Sequence, residues 1–182
     1  MQRLRDSIRS GLVDVRRFMF DLRPTMLATM GLNATIRHYV EDFRRTFNLT
    51  VDLVLPREEL AIEDRAQIAI FRIVQESLQN IQKHAEASRV RVKLNQQVDG
   101  VVRLTVSDDG KGFDPAAQQP TARSGAGLLG MRERAAILGG TLAITSSPAG
   151  GTVVTLLLPS PSAAASEGEH TAAAGQEATP AD

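Results

Sequence analysis

The chain has 182 residues, with 21 Lys+Arg balanced by 21 Asp+Glu and no cysteine. That length accommodates one domain with a sizeable core plus an appendage. Zero formal charge removes any global field toward nucleic acid or an anionic membrane. Absent cysteine rules out disulfides, thiolate metal sites and cysteine nucleophiles, and fits a reducing cytoplasm. No apolar run approaches the roughly 20 residues that cross a bilayer.

In chain order, Leu4, Ile8, Leu12, Val15, Met19 and Leu22 recur at spacings of three or four until Pro24. Arg3, Arg5, Arg9, Arg16, Arg17 and Arg23 fill other positions, so the apolar stripe predicts a partner helix, with a homodimer bundle preferred over a fold-back or an amphipathic membrane helix, for which no Trp marks an interface. A second helix is predicted over about residues 32–47, from Leu32, Ile36, Tyr39, Val40 and Phe43. Val51, Leu53 and Leu55 then share one side of a strand.

A long helix follows over roughly residues 64–85. At about 100° per residue, Asn80 and Lys83 fall within about 40° of Glu76, while Phe71, Val74, Leu78, Ile81 and Ala85 cluster on the opposite side. One face seats on a sheet; the other presents a carboxylate, an amide and an ammonium in line. Taken alone, such a face is usually just solvated.

Val90, Val92 and Leu94, then Val102, Leu104 and Val106, alternate about Asp99-Gly100 as a hairpin. After a helix over residues 127–138, Leu142 and Ile144 pair with Val154, Leu156 and Leu158 across the turn at Pro148 to Gly151. The expected fold class is α+β, a two-layer sandwich with a mainly antiparallel sheet and helices on one face. Residues 159–182 contain neither lysine nor arginine and read as a disordered acidic tail. Residues 114–124 read as a polar, mobile lid, with Arg123 a weak candidate for phosphate.

Two glycine-bearing stretches carry the chemistry: Asp108-Asp109-Gly110-Lys111-Gly112-Phe113 and Gly125-Ala126-Gly127-Leu128-Leu129-Gly130-Met131. A carboxylate such as Asp108 accepts a hydrogen bond from the adenine amino group and repels the guanine carbonyl. Gly110 and Gly112 let the backbone approach a base closely. Gly125, Gly127 and Gly130 sit where a loop becomes a helix, placing free amides in a field that favours phosphate. The Asn80 carbonyl suits Mg²⁺ and Lys83 suits phosphate oxygens, while Glu76 either holds a metal-bound water or orients a nucleophile. Gly150-Gly151-Thr152 is given only a supporting role. Each motif alone reads equally well as a turn; their order and spacing argue for ATP.

The series Glu76 to Ala85, Asp108 to Phe113 and Gly125 to Arg134 resembles the N, G1 and G2 boxes of two-component sensor histidine kinases, within the gyrase, Hsp90, histidine kinase and MutL (GHKL) superfamily. The Lys83-His84-Ala85 and Gly130 to Arg134 wording is most like the NarL/DegS subgroup. By this resemblance, residues 1–24 are the second helix of a dimerisation bundle and 25–158 the ATP-binding catalytic domain. Asp108 then holds adenine, Asn80 ligates Mg²⁺, Lys83 meets phosphate, Glu76 assists, and His84, Leu128 and Thr152 join the ATP-binding set. The implied activity is transfer of the ATP γ-phosphate to a histidine for relay to a response regulator of the LuxR/NarL type. His38, His84 and His170 do not resemble the acceptor motif, so the expectation is the C-terminal part of a longer kinase whose sensor can be membrane-anchored. Alternatives are a stand-alone serine kinase of the anti-sigma type and a non-catalytic ATP-binding dimerisation module.

Overall fold

A computed structural model describes residues 24–114 and 126–159. The predicted seam helix before Pro24, most of the predicted lid with Arg123, Gly125, and the acidic tail lie outside the described residues. The elements are α1 (Pro24–Phe47), β1 (Thr50–Val54), α2 (Asp64–Asn80) continued by a π-helical turn (Ile81–Ala85), β2 (Arg89–Gln96), β3 (Val102–Asp108), α3 (Ala126–Ile137), β4 (Thr141–Ser146) and β5 (Thr152–Leu158).

The five strands form one sheet in the order β1-β2-β3-β5-β4. Three of the pairings are antiparallel, as the alternation predicts. The edge pair is parallel, with Val51 beside Val90 and Leu53 beside Val92. The physical reason is α2, which lies between β1 and β2 in the chain and returns the backbone to the same end of the sheet.

One face of the sheet makes the core. Val92 and Leu94 of β2 are opposed by Val106 and Leu104 of β3, and Val106, Leu104 and Val102 by Val154, Leu156 and Leu158 of β5; all of these and Val90 are buried. Onto them α2 lays Ile70, Ile73, Val74 and Leu78, each with 0% exposure. Complete burial of such a side chain contributes about 1.5–3 kcal/mol before entropy is charged. The apolar arc of α2 read from sequence is therefore the inner face, and the polar arc is left at the rim.

The first helix starts at Pro24, where a missing N–H costs nothing. It breaks at Gly31, whose φ of 78° is left-handed. The Glu59 carboxylate accepts from Asn33 N at 2.9 Å and from Leu32 N at 3.2 Å, capping the restarted helix. A Cβ at residue 31 would lie 2.8 Å from Glu59 Oε1, so glycine is required twice over. The expected helix from about residue 32 begins at this break. Beyond it, Tyr39 stands edge-on to Phe71 with ring centroids 5.7 Å apart, tying α1 to α2.

Candidate nucleotide site

The last residue of β3 is Asp108, paired in register with Val90 on one side and Thr152 on the other. Its side chain is half-buried and accepts from Gly110 N at 2.9 Å. Burial pushes its carboxyl above the ordinary carboxylate range; the Gly110 and Thr152 amides oppose that rise, and the neighbouring Asp109 charge adds to it. Asp109 is held the other way. Its carboxylate takes the Ser88 hydroxyl at 2.6 Å and the Ser88 and Arg89 amides at 2.8 Å each, which lowers it to about 2. Two adjacent aspartates thus divide between a partly desolvated carboxylate facing the site and a saturated latch.

Beyond them the chain is pinned from both sides. Lys111 N donates to Ala85 O at 2.8 Å, and Ala149 N donates to Lys111 O at 2.7 Å. The G1 stretch therefore lies between the end of the α2 extension and the β4–β5 turn. Phe113 N donates to Ser146 Oγ, which donates to Gly151 O at 2.8 Å and stands 3.0 Å from Thr152 Oγ1. Gly112 has φ +59°, and a Cβ there would come within 2.0 Å of Ser147 O. At Gly151, with φ +70°, the same atom would lie 2.1 Å from Asp108 O. No L side chain fits either place.

The helical rim is joined to the second glycine-bearing stretch. Glu76 lies against Gly127, where an added Cβ would stand 2.1 Å from Glu76 Oε1. Ser77 and Met131 meet at 3.8 Å beneath that contact and pack α3 onto α2. Asn80 is the last α-helical residue and is half-buried. The Tyr39 hydroxyl is hydrogen-bonded to the adjacent Gln79 and pushed up to about 12 by burial.

The sequence reading of one uninterrupted α-helical line through Glu76, Asn80 and Lys83 needs correction. Ile81–Ala85 is a π turn, in which each residue advances by less than in an α-helix. Lys83 and His84 are exposed on this turn. The turn terminates at Glu86 in the left-handed region, while the Ala85 carbonyl is taken by Lys111, and Lys111 Nζ pairs with Glu86 at 2.6 Å.

The structure thus brings Asp108, Gly110, Gly112 and Thr152 together at the end of β3, and sets Glu76 of α2 against Gly127 of α3, with Asn80 four residues beyond Glu76 on α2. Four other expected residues lie elsewhere, Lys83 and His84 on the exposed turn and Leu128 and Gly130 on α3. Leu128 packs against the hydrophobic core, and a Cβ added at Gly130 would meet the Arg134 guanidinium of its own helix at 3.2 Å. Gly125 is outside the described residues. Sequence reasoning missed Ser146 and the backbone of Ala85 and Ala149, whose roles depend on partners far along the chain. The Gly-Gly-Thr turn after Ala149 was the available signal.

A half-buried carboxylate at a strand end, glycine-lined backbone beside it and a carboxylate–amide pair on the facing helix define an ATP-binding two-layer α+β domain. Residues 65–162 match the family described as "Histidine kinase-, DNA gyrase B-, and HSP90-like ATPase", and the chain belongs to that family. Among its relatives are sensor histidine kinases. It is 38% identical over 156 residues to the signal transduction histidine-protein kinase/phosphatase DegS of Brevibacillus brevis, covering 86% of this chain and 39% of DegS. With UhpB of Salmonella typhimurium, also a signal transduction histidine-protein kinase/phosphatase, identity is 38% over 146 residues, or 80% of this chain and 28% of UhpB. The chain thus spans well under half of each of these relatives. Among solved structures, the histidine kinase domain of the Erythrobacter litoralis EL346 blue-light activated histidine kinase superposes with a TM-score of 0.61 at 21% identity, over 72% of this chain and 62% of that one. That likeness shows the fold.

Proposed function

We propose that this chain is the ATP-binding catalytic portion of a sensor histidine kinase, transferring the γ-phosphoryl group of ATP to a histidine outside the sequence described above. The observation that carries the reading is that the α2 segment bearing Glu76 and Asn80 and its π turn touch both glycine-bearing stretches, Gly127 at Glu76 and the Asp108 to Gly112 loop at Ala85. Asp108 accepts from the adenine amino group, and its partial desolvation strengthens that bond relative to water. The Gly110 to Gly112 backbone, held at Ala85 and Ala149, forms the wall beside the base. Lys83 meets phosphate oxygens from the exposed π turn.

The donor set also suits Mg²⁺. The Asn80 amide oxygen and the Glu76 carboxylate are hard oxygen ligands less than one and a half turns apart on α2. When bound, the ion neutralises charge developing on the phosphates. In the transfer, the bond from Pγ to the bridging oxygen breaks as an imidazole nitrogen bonds to phosphorus, and ADP leaves. Glu76 orients the attacking imidazole or a metal-bound water. The domain boundaries at 24/25 and 158/159, a homodimer through the N-terminal segment, and a LuxR/NarL-type response regulator as the final acceptor belong to the same proposal. The similarity to DegS and UhpB supports it. No described helix is long and apolar enough to cross a membrane.

Calorimetry of Mg-ATP and Mg-GTP with the purified chain tests the reading. ATP binds preferentially, Asp108→Asn removes the preference, and Asn80→Asp changes the metal dependence. Equal affinity for both nucleotides, indifferent to both substitutions, overturns it.

A further inference from the structure

The face of the sheet turned away from the helices is unevenly charged. On β2, Arg89, Arg91 and Lys93 alternate with the buried Val90, Val92 and Leu94 and are all exposed on the open face. Such positions are spaced by about 7 Å along a strand. Register sets Arg103 of β3 opposite Asn95, on that same face and diagonal to Lys93. Asp52 of β1 pairs with Arg91 at 3.5 Å, and among the described residues no ion pair engages Arg89, Lys93 or Arg103. The rest of the face is uncharged, with Val153, Thr155 and Leu157 of β5 beside Thr145, Ala143 and Thr141 of β4. An uncovered stripe of one sign attracts an anionic chain.

Strand β5 delivers such a chain to that place. Leu157 is the register partner of Arg103, and β5 ends one residue later. Residues 160–182 contain Glu167, Glu169, Glu177 and Asp182, with no lysine or arginine. Eight residues separate Glu167 from Pro159, a chain length with a root-mean-square reach of about 16 Å and a limit of about 28 Å. Lys93 lies two strand spacings from β5, about 10 Å.

We propose that the acidic segment 160–182 docks in cis on this open face, with Glu167 and Glu169 against Arg103 and Lys93, and Glu177 toward Arg91 and Arg89. A tether this short gives an effective concentration in the millimolar range, so several weak exposed pairs suffice. Screening over about 8 Å at physiological ionic strength makes the contact labile to salt. The inference uses the sheet face opposite the helices and does not depend on the nucleotide reading.

Because the chain has no cysteine, Ala178→Cys in the full chain gives a unique site for a nitroxide label beside Glu177. At low ionic strength the amide signals of Arg89, Arg91 and Lys93 lose the most intensity, relative to the reduced label, and about 0.5 M NaCl restores them. Lys93→Glu with Arg103→Glu abolishes the loss. Adding Glu167→Lys with Glu169→Lys to that variant brings it back, a rescue that misfolding does not produce. Uniform broadening, or broadening indifferent to salt and charge reversal, overturns the proposal. So does intensity loss carried entirely by transfer from labelled to unlabelled molecules, which assigns the face to a second copy. An unperturbed β2 also overturns it, leaving the stripe to a separate acidic partner.

Discussion

At the sheet end of the site, around Asp108 and the G1 stretch, backbone groups from three distant segments interlock, and glycines stand where a single added carbon would strike a carbonyl. Along the helical rim, Lys83 and His84 are exposed on a π turn, and Gly130 has only a flexible arginine tip nearby. The first region is specified by shape and tolerates no substitution. The second, at Lys83, His84 and Gly130, is set by charge and exposure rather than by close backbone contact. Under the proposed function, the fixed geometry falls to the part assigned to the base and the exposed charge to the part assigned to the phosphates.

Glycine substitutions break this comparison most sharply. Gly112→Ala forces both a left-handed alanine and a collision with Ser147 O, so a loss of about 3 kcal/mol in stability is expected by chemical or thermal unfolding. A melting temperature within a degree or so of the parent would contradict the interlocked wall.

Asp108→Asn comes next, with an effect on binding rather than folding. Removing a charge-assisted hydrogen bond worth about 1.5–3 kcal/mol weakens ATP by roughly 10- to 100-fold in calorimetry. Because burial raises the Asp108 pKa, its ionised form opposes folding. The wild type therefore gives up stability relative to Asp108→Asn as pH rises through the folded-state pKa, and near neutral pH the apo variant melts at the same temperature or higher.

Asp109→Asn reverses that pattern. Its carboxylate titrates at about 2 in the fold, below the ordinary value near 3.9, so its stabilising contribution is present above about pH 4 and disappears as pH falls toward 2. Melting curves of wild type and Asp109→Asn converge over that window, while ATP affinity changes little. The smallest effect belongs to Gly130→Ala, within α3. It changes stability by no more than about 1 kcal/mol, and a gain is expected where Arg134 moves aside.

Much of the fold was legible from period alone. Val90, Val92 and Leu94 against Val102, Leu104 and Val106 gave the central hairpin, and the apolar arc from Phe71 to Leu78 gave the buried face of α2. The parts that escaped depend on encounters between distant segments. Glu59 reaches across to cap Leu32 and Asn33, which no local pattern announces. The π turn coincides with capture of the Ala85 carbonyl by Lys111, a residue two strands later in the chain. The candidate site was legible only as residue types; that the Asp108 to Gly112 stretch is held at Ala85, five residues beyond Asn80, came from the structure. The division of labour between Asp108 and Asp109 was not legible, because it rests on which of two neighbouring carboxylates meets Ser88.

The central claim is that one nucleotide seat lies where the Asn80 helix end, the Asp108 loop and Gly127 converge. Backbone amide spectra recorded while titrating a Mg²⁺-loaded non-hydrolysable ATP analogue test it directly. The account predicts the largest shifts at Asn80, Gly110, Gly112, Gly127 and Thr152, with the Arg89 to Lys93 strand face unmoved. Saturable shifts confined to some other surface, or no shifts at millimolar analogue, would contradict it.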